Sequence, residues 1–178
     1  MVQSGPSSQK SPGSDGEMET IPSRFRPLFL IGEYDVILDD KNRILVPAVF
    51  RKEIVEARED KSLICRIGRG RIAWLQPENY YRELIARRPV TLMPSDDEEK
   101  YNEANYGMIF PLDWDAQGRV VMPEKIIKRT GLGKELTLVG AGDHLAIWNR
   151  EVWERRAQTL LDTLDEITDR EREAKPGS

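Results

Sequence analysis

The sequence predicts an α+β fold built from two copies of one unit. A short motif occurs twice, Asp39-Asp40-Lys41-Asn42-Arg43 and Asp115-Ala116-Gln117-Gly118-Arg119, and each residue of the second copy lies 76 positions after its counterpart. Each copy is followed by an apolar stretch, a proline and then helical spacing, and each half closes on a helix that carries an aromatic residue. A repeat with a constant register indicates two equivalent structural units.

Each motif is predicted to be a turn between two strands. Residues 34–38 and 44–46 are predicted to be strands, with the turn at residues 40–42. Asn42 and Gly118 occupy the same repeat position, and both residue types tolerate a left-handed backbone, so the two turns are predicted to be hairpin tips. Pro47 and Pro123 then suit the first turn of a helix, and Gly131 is predicted to end the second of these helices.

The similarity continues through the rest of each half. Three pairs of segments match in character: Arg66-Ile67-Gly68 with Leu138-Val139-Gly140, Ala73-Trp74-Leu75 with Ala146-Ile147-Trp148, and Glu78-Asn79-Tyr80 with Glu151-Val152-Trp153. The separation falls to 73 between Ala73 and Ala146. The predicted unit is therefore strand, turn, strand, helix, strand, hairpin, strand, helix.

Segment boundaries follow from composition and from start signals. We expect a disordered Ser/Gly/Pro-rich tail at 1–24, a first repeat at 25–88, a connecting helix within 89–107, a second repeat with its C-terminal helix at 108–170, and a disordered tail at 171–178. Ser95 and Glu98 form a capping box that should begin the connecting helix. The last helix carries one apolar stripe that would face the core or another subunit: Trp153, Ala157, Leu160, Leu161, Leu164 and Ile167.

The charges of the chain are segregated. The net charge is −4, which is not typical of a nucleic-acid-binding domain. Residues 41–52, however, contain four basic residues and no acid: Lys41, Arg43, Arg51 and Lys52. A second basic run contains Arg66, Arg69 and Arg71. A local basic face on an acidic protein is therefore compatible with the sequence.

Cysteine usage and hydropathy indicate a cytoplasmic protein. The single cysteine, Cys65, excludes an internal disulfide and lies in an apolar run, so we expect a buried, inert thiol. No apolar stretch reaches the roughly 20 residues of a membrane span, and the N-terminus lacks the apolar segment of a signal peptide.

The Asp-x-x-x-Arg motif allows two interpretations. The acid can accept hydrogen bonds from turn N–H groups or pair with the arginine. The arginine fork suits phosphate oxygens or a guanine edge, and Lys41 at the tip suits a phosphate. Alternatively, Asp39–Arg43 and Asp115–Arg119 are ion pairs that only hold the turns together.

Catalytic residues are not predicted. His144 is the only histidine and falls in a predicted turn with no nucleophile beside it, so we expect an exposed turn residue. One cysteine and one histidine cannot form a zinc site, and neither glycine-rich stretch has the full phosphate-loop pattern. We therefore predict no enzyme activity, cofactor, metal or small-molecule substrate.

The duplicated motif, its spacing and the closing aromatic helices resemble the MraZ family, the two-repeat bacterial branch of the SpoVT/AbrB-like superfamily. The resemblance covers residues 25–165. It implies two β-α-β repeats that form a pseudo-two-fold swapped-hairpin β-barrel flanked by helices. It also implies a nucleoid-associated DNA-binding transcriptional regulator of the division and cell-wall gene cluster, including its own promoter, that binds repeated sites in double-stranded DNA as a ring of copies. We expect repression.

The resemblance also implies where DNA would bind. The family's contact motif falls on residues 39–43 and 115–119, and the neighbouring basic residues extend it. The predicted site is Asp39, Lys41, Asn42, Arg43, Arg51, Lys52, Asp115, Gln117, Gly118 and Arg119. Asn42 stands where the first copy usually has glycine, and Gln117 replaces a basic tip residue, so the second copy should bind more weakly. The alternative is a protein-interaction module with the same barrel, antitoxin-like or a scaffold, that does not bind DNA.

Overall fold

The same order of elements occurs twice along the chain. The computed structural model describes residues 26–88 and 91–174. The first run is β1 (Glu33–Ile37), β2 (Arg43–Leu45), α1 (Ala48–Arg58), β3 (Ser62–Ile67), β4 (Ala73–Pro77) and α2 (Glu78–Ala86). After α3 (Asp96–Tyr106), the second run is β5 (Phe110–Asp113), β6 (Arg119–Val121), α4 (Glu124–Thr130), β7 (Glu135–Gly140), β8 (Leu145–Asn149) and α5 (Arg150–Asp162), followed by α6 (Leu164–Ala174). The predicted α+β class and order of elements are confirmed.

Local signals place the helix ends where the sequence predicted them. Pro47 and Pro123 are the N-cap residues of α1 and α4. Gly131 ends α4 in the left-handed conformation, with φ +68°. The Ser95 and Glu98 capping box is present with both of its hydrogen bonds. The tail predicted at 1–24 lies outside the described residues.

Strands are exchanged between the two repeats. The main sheet is antiparallel with six strands in the order β1-β7-β8-β4-β3-β5. The first strand of each repeat pairs with the third strand of the other, because β1 lies beside β7 and β5 lies beside β3. The prediction of hairpin tips was therefore wrong: each turn connects two strands that belong to different sheets. Because of this exchange, the backbone groups along one edge of β3 and of β7 are hydrogen-bonded to a strand of the other repeat.

The remaining two strands form a separate ribbon. β2 and β6 pair antiparallel, with Ile44 opposite Val120 at the centre. The two edge strands of the main sheet, β1 and β5, are the strands that lead through the turns into this ribbon. The described strands form two sheets and do not hydrogen-bond into one closed ring, so the swapped-hairpin barrel stays a prediction.

Strand pairing corrects the alignment of the two repeats by one residue. A two-fold axis exchanges the strands of an antiparallel pair about their central residue pair. For β4 and β8 this pair is Trp74 and Ala146, which are 72 positions apart rather than 73. With this spacing, the counterpart of Trp153 is Tyr81 and not Tyr80. The sequence alignment matched Ala73 with Ala146 because the two residues are of the same type.

The core lies between the inner face of the main sheet, the ribbon and helices α1 and α4. Its fully buried large side chains include Ile44, Phe50, Ile54, Leu75, Met122, Ile126, Leu138 and Leu145. Cys65 is part of this core, and burial raises the pKa of its thiol to about 12. The prediction of a buried, inert thiol is confirmed.

The C-terminal helix is divided in two. The helix is interrupted at Thr163, between α5 and α6. Here the hydroxyl groups of Thr159 and Thr163 donate hydrogen bonds to the backbone carbonyls four residues before them. Such bonds compete with the helical ladder and bend helices. The apolar stripe is only partly covered, since Leu161 and Leu164 are exposed. α6 extends to Ala174, past residue 171 where the tail was predicted to begin.

Among the residues the structure describes, no helix combines the length and the apolar character needed to cross a bilayer.

Candidate nucleic-acid interface

In the first turn, the two oxygens of Asp39 have different partners. Oδ1 accepts hydrogen bonds from the backbone N–H groups of Lys41 and Arg43, both at 2.9 Å. Oδ2 accepts from Nε and Nη2 of the Arg43 side chain, at 2.8 and 2.7 Å. Asn42 adopts the left-handed conformation with φ +56°. The sequence left two roles open for this acid, and the structure shows both.

The second turn repeats this geometry. Oδ1 of Asp115 accepts from the N–H groups of Gln117 and Arg119, at 3.0 and 2.9 Å. Oδ2 accepts from Nε and Nη2 of Arg119, at 2.8 and 2.7 Å. Gly118 takes the left-handed position, with φ +83°. The repeat is therefore preserved at the level of individual hydrogen bonds.

These bonds stabilise the ionised carboxylates. The hydrogen bonds from the Arg43 side chain are the main cause that lowers the pKa of Asp39 to about 2, with the turn N–H groups adding to the effect. The pKa of Asp115 is lowered for the same reasons, with Arg119 as the main cause. Both turns consequently hold a formed ion pair at neutral pH.

Each arginine keeps donors that its aspartate does not use. A guanidinium has five N–H groups in one plane. Asp39 is bonded to Nε and Nη2 of Arg43, so Nη1 is available for an acceptor outside the protein. The second turn differs, because Nη2 of Arg119 also donates to the side-chain oxygen of Gln117 at 3.2 Å. Gln117 thus uses an Nη2 N–H group of Arg119, whereas the equivalent group of Arg43 has no such glutamine beside it.

The ribbon places both arginines on one face. Arg43 lies opposite Val121, and Leu45 lies opposite Arg119. Since paired residues share a face and neighbours along a strand alternate, these four side chains point away from the core. Leu45 and Val121 are exposed, whereas Ile44 and Val120 on the other face are buried. The outward face is therefore two exposed apolar side chains flanked by two fixed arginines.

Only part of the predicted basic run lies on this face. Lys41 is exposed at the tip of the first turn. Nε of Arg51, in contrast, donates to the carbonyl of Val46 at 3.0 Å, and its side chain lies against Gly118. Lys52 is exposed on α1 and lies 3.7 Å from Glu56. The single basic face predicted from residues 41–52 is thus divided, and Arg51 is used in packing.

Leu45 and Val121 were not predicted as part of the site. The alternation of the residues from Arg43 to Val46 was a signal for them, because a strand with Ile44 and Val46 inside must point Leu45 outward. What the sequence lacked was the pairing of β2 with β6, which brings Val121 beside Arg43.

Two further sequence predictions concern His144 and metals. The ring of His144 is not exposed: it stacks on Trp74 with ring centroids 3.8 Å apart, and its Nδ1 lies 2.7 Å from Oδ1 of Asp143. The prediction of an exposed turn residue was wrong because the pairing of β8 with β4 brings the loop after β7 over β4. Across residues 26–88 and 91–174, no three His, Cys, Asp or Glu side chains are grouped as a metal site requires.

Comparison with known proteins finds similarity to MraZ proteins. Residues 110–175 match a family model described as "MraZ protein, putative antitoxin-like". The chain is 27% identical to the Transcriptional regulator MraZ of Pediococcus pentosaceus over 143 residues, which is 78% of this chain and 94% of that protein. It is 27% identical to the protein of the same name from Clostridium tetani over 132 residues, 74% of this chain and 89% of the relative. The chain is therefore similar to MraZ proteins by both comparisons.

The similarity to MraZ proteins extends over both halves of the chain. The family model covers the second repeat, from β5 through α6. The alignments to the two MraZ relatives cover 78% and 74% of this chain, so each includes parts of both repeats.

Proposed function

We propose that this protein is a cytoplasmic, nucleoid-associated transcriptional regulator that binds specific sites in double-stranded DNA. It acts as a repressor of the division and cell-wall gene cluster, including its own promoter. Two observations support the proposal. The relatives are named transcriptional regulators, and the outward face of the ribbon carries two arginines, each fixed by an aspartate. The second observation carries the mechanism.

A fixed arginine suits DNA recognition because its direction is set before DNA arrives. Asp39 holds one edge of the Arg43 guanidinium, which reduces the side-chain entropy lost on binding. The remaining donors can meet a guanine edge or a phosphate. The major groove admits a two-stranded ribbon, and exposed apolar side chains such as Leu45 and Val121 suit the thymine methyl group.

The first turn should contribute more than the second. Its tip carries Lys41, an exposed cation that suits a phosphate contact. The second tip carries Gln117, which is neutral and is bonded to Arg119. The two turns therefore share backbone geometry and differ in the charge they offer.

Binding should depend on several copies acting together. One chain presents few cations on the ribbon and has a net charge of −4. Linking several weak contacts raises the apparent affinity through effective concentration. We therefore expect a ring of copies on repeated sites, each copy composed of the repeats 25–88 and 108–170 joined by 89–107. In each copy the exchanged strands and the two turns would complete a swapped-hairpin barrel.

The direct test is a binding titration on the DNA upstream of the protein's own gene, at two salt concentrations. Phosphate contacts should make the affinity fall by at least ten-fold between about 50 and 200 mM salt. The alternative function, a protein-interaction module, predicts no specific retention of this DNA and a partner affinity that changes little with salt. Equal affinity for the upstream DNA and for a scrambled duplex of the same composition would reject the proposal.

A further inference from the structure

The outer face of the main sheet carries two grooves that the repeat makes equivalent. The first lies beside α2 and is lined by Arg66, Tyr81 and Ile85, together with Tyr101 and Asn105 of α3. The hydroxyl of Tyr81 donates to the carbonyl of Asn105 at 2.8 Å, which fixes α3 over this groove. We call it the covered groove. In the second repeat the helix that follows α5 is α6, and the residues that line the groove beside α5 include none from α6.

The second groove lies beside α5 and is open. It has a volume of about 610 Å³. Three tryptophans line it, Trp74, Trp148 and Trp153, and Trp153 is the counterpart of Tyr81 in the covered groove. We call it the open groove. An apolar groove of this size that remains open to solvent marks an interaction surface.

Cations line the same groove. Arg69 and Arg156 are both part of the wall and both exposed. The guanidinium of Arg156 lies over the ring of Trp148, 5.1 Å from its centroid. The open groove therefore suits a segment that combines apolar side chains with acids.

The chain itself carries such a segment. Leu92 and Met93, just before α3, are 98% and 87% exposed, the highest values among the large apolar residues that the structure describes. The first turn of α3 follows at once and contains four acids: Asp96, Asp97, Glu98 and Glu99. Two apolar side chains followed by an acidic helix start complement a tryptophan groove lined by two arginines. We call residues 92–99 the acidic knob.

The knob and the open groove are two different surfaces. Thr91 and Pro94, on either side of Leu92 and Met93, line a cavity with Ile85 and Arg88, which places the knob at the end of α2 in the first repeat. The open groove lies along α5 of the second repeat, is completed by Arg69 and Trp74 of the first, and has no lining residue in common with the cavity beside the knob. A contact between two different surfaces of identical chains is head-to-tail, and it forms rings when the rotation closes.

We propose that the acidic knob of one copy inserts into the open groove of a second copy, with Leu92 and Met93 against the tryptophans and the acids against Arg69 and Arg156. This inference rests on the proposed assembly of several copies on repeated DNA and identifies the surfaces that join them. It is an inference about protein–protein contact, so its test needs no DNA.

The test measures the mass of the full chain in solution by light scattering, without DNA. The unmodified protein should form multimers. A knob variant, Leu92→Asp with Met93→Asp, and a groove variant, Arg156→Glu with Leu160→Glu, should each run at the monomer mass of 20.5 kDa. Each change is on an exposed or partly exposed position, and circular dichroism confirms that the variants are folded. Leu161→Asp, a neighbouring exposed residue outside the groove lining, is the control and should assemble normally.

Mixing the two variants decides whether the contact is the proposed one. The knob variant retains an intact groove and the groove variant retains an intact knob, so an equimolar mixture should form a heterodimer of twice the monomer mass. A monomeric unmodified protein would overturn the inference. So would multimers that persist in either variant, or a mixture that remains monomeric. Loss of assembly on deletion of residues 1–24, with the knob variant still multimeric, would overturn it in favour of the N-terminal segment as occupant. Assembly without DNA binding would reject the proposed function and leave this inference standing.

Discussion

The side chain of Arg51 lies directly over the backbone of Gly118, so that a Cβ atom at residue 118 would come within 2.4 Å of both Cζ and Nε of that arginine. Arg51 belongs to α1 in the first repeat, and Gly118 belongs to the turn of the second repeat. The equivalent positions with the repeats exchanged are Ile127 on α4 and Asn42 in the first turn. One helix–turn pair is therefore arginine and glycine, and the other is isoleucine and asparagine.

Replacing Gly118 by alanine should destabilise the protein by about 1–3 kcal/mol. The residue has a positive φ of +83° and its Cβ would meet the Arg51 side chain. Urea denaturation of the single variants Gly118→Ala and Arg51→Ala and of the double variant measures the two effects separately. Because Arg51→Ala removes the clash but not the backbone strain, the double variant should show a favourable coupling of about 1 kcal/mol. Strict additivity would contradict the packing of Arg51 on Gly118.

Acid should weaken the first turn over a defined pH range. The folded-state pKa of Asp39 is about 2, below the ordinary value of 3.8. A depressed pKa contributes stability that is complete above the unfolded value, near pH 4, and is lost as the pH falls through about 2. Urea denaturation of the unmodified protein and of Asp39→Asn measures this effect. The difference between their midpoints should be constant between pH 7 and 5 and should shrink below pH 4. A constant difference down to pH 2 would show that the Asp39 carboxylate is not held by Arg43.

A buried ion pair should be needed to hold α1 against α2. Arg58 is 3% exposed, its Nη1 lies 2.8 Å from Glu83, and its guanidinium lies over the ring of Tyr80 at 4.5 Å. Glu83 is partly exposed and keeps Arg87 as a second partner, so Arg58→Ala removes the packing and hydrogen bonds of a buried side chain and should cost about 2–3 kcal/mol. The matched control is Arg82→Ala, which breaks the exposed pair with Glu78 and should cost less than about 1 kcal/mol. Thermal or urea unfolding measures both variants, and equal losses would contradict the difference in burial.

Removing the side chain of Gln117 should strengthen DNA binding. Its oxygen accepts a hydrogen bond from Nη2 of Arg119 at 3.2 Å and so competes with any DNA acceptor. Gln117→Ala releases that donor, and Gln117→Lys also adds a phosphate contact with a salt slope larger by about one. Fluorescence anisotropy with upstream DNA at several salt concentrations measures affinity and slope together. Weaker binding by Gln117→Ala would mean that the glutamine itself contacts DNA.

Local chemistry determined the parts of the fold that could be predicted. Asn42, Gly118 and Gly131 are left-handed as their residue types suggest, and the prolines before α1 and α4 mark the helix starts. Strand exchange could not be predicted in this way, because pairing β1 with β7 is a choice among partners far apart in sequence that share the same apolar alternation.

Several features of the candidate site depended on other contacts between the two repeats. The sequence identified the two turns and the Asp–Arg pairs, but could not tell that Arg51 would pack on Gly118 rather than join Lys41. It also could not place His144 on Trp74, because that stacking requires β8 to lie beside β4. Contacts within five residues were predictable, and contacts between the repeats were not.

We expect Arg43, fixed by Asp39, to be the principal DNA contact. Its most direct test is the affinity of the Arg43→Ala and Arg119→Ala variants for upstream DNA, measured by anisotropy at one salt concentration, with Arg82→Ala as a control for loss of one positive charge far from the ribbon. We expect Arg43→Ala to lose about 1–3 kcal/mol of binding free energy, Arg119→Ala to lose less and Arg82→Ala to lose none. A folded Arg43→Ala protein that assembles normally and binds the upstream DNA as tightly as the unmodified protein would contradict it.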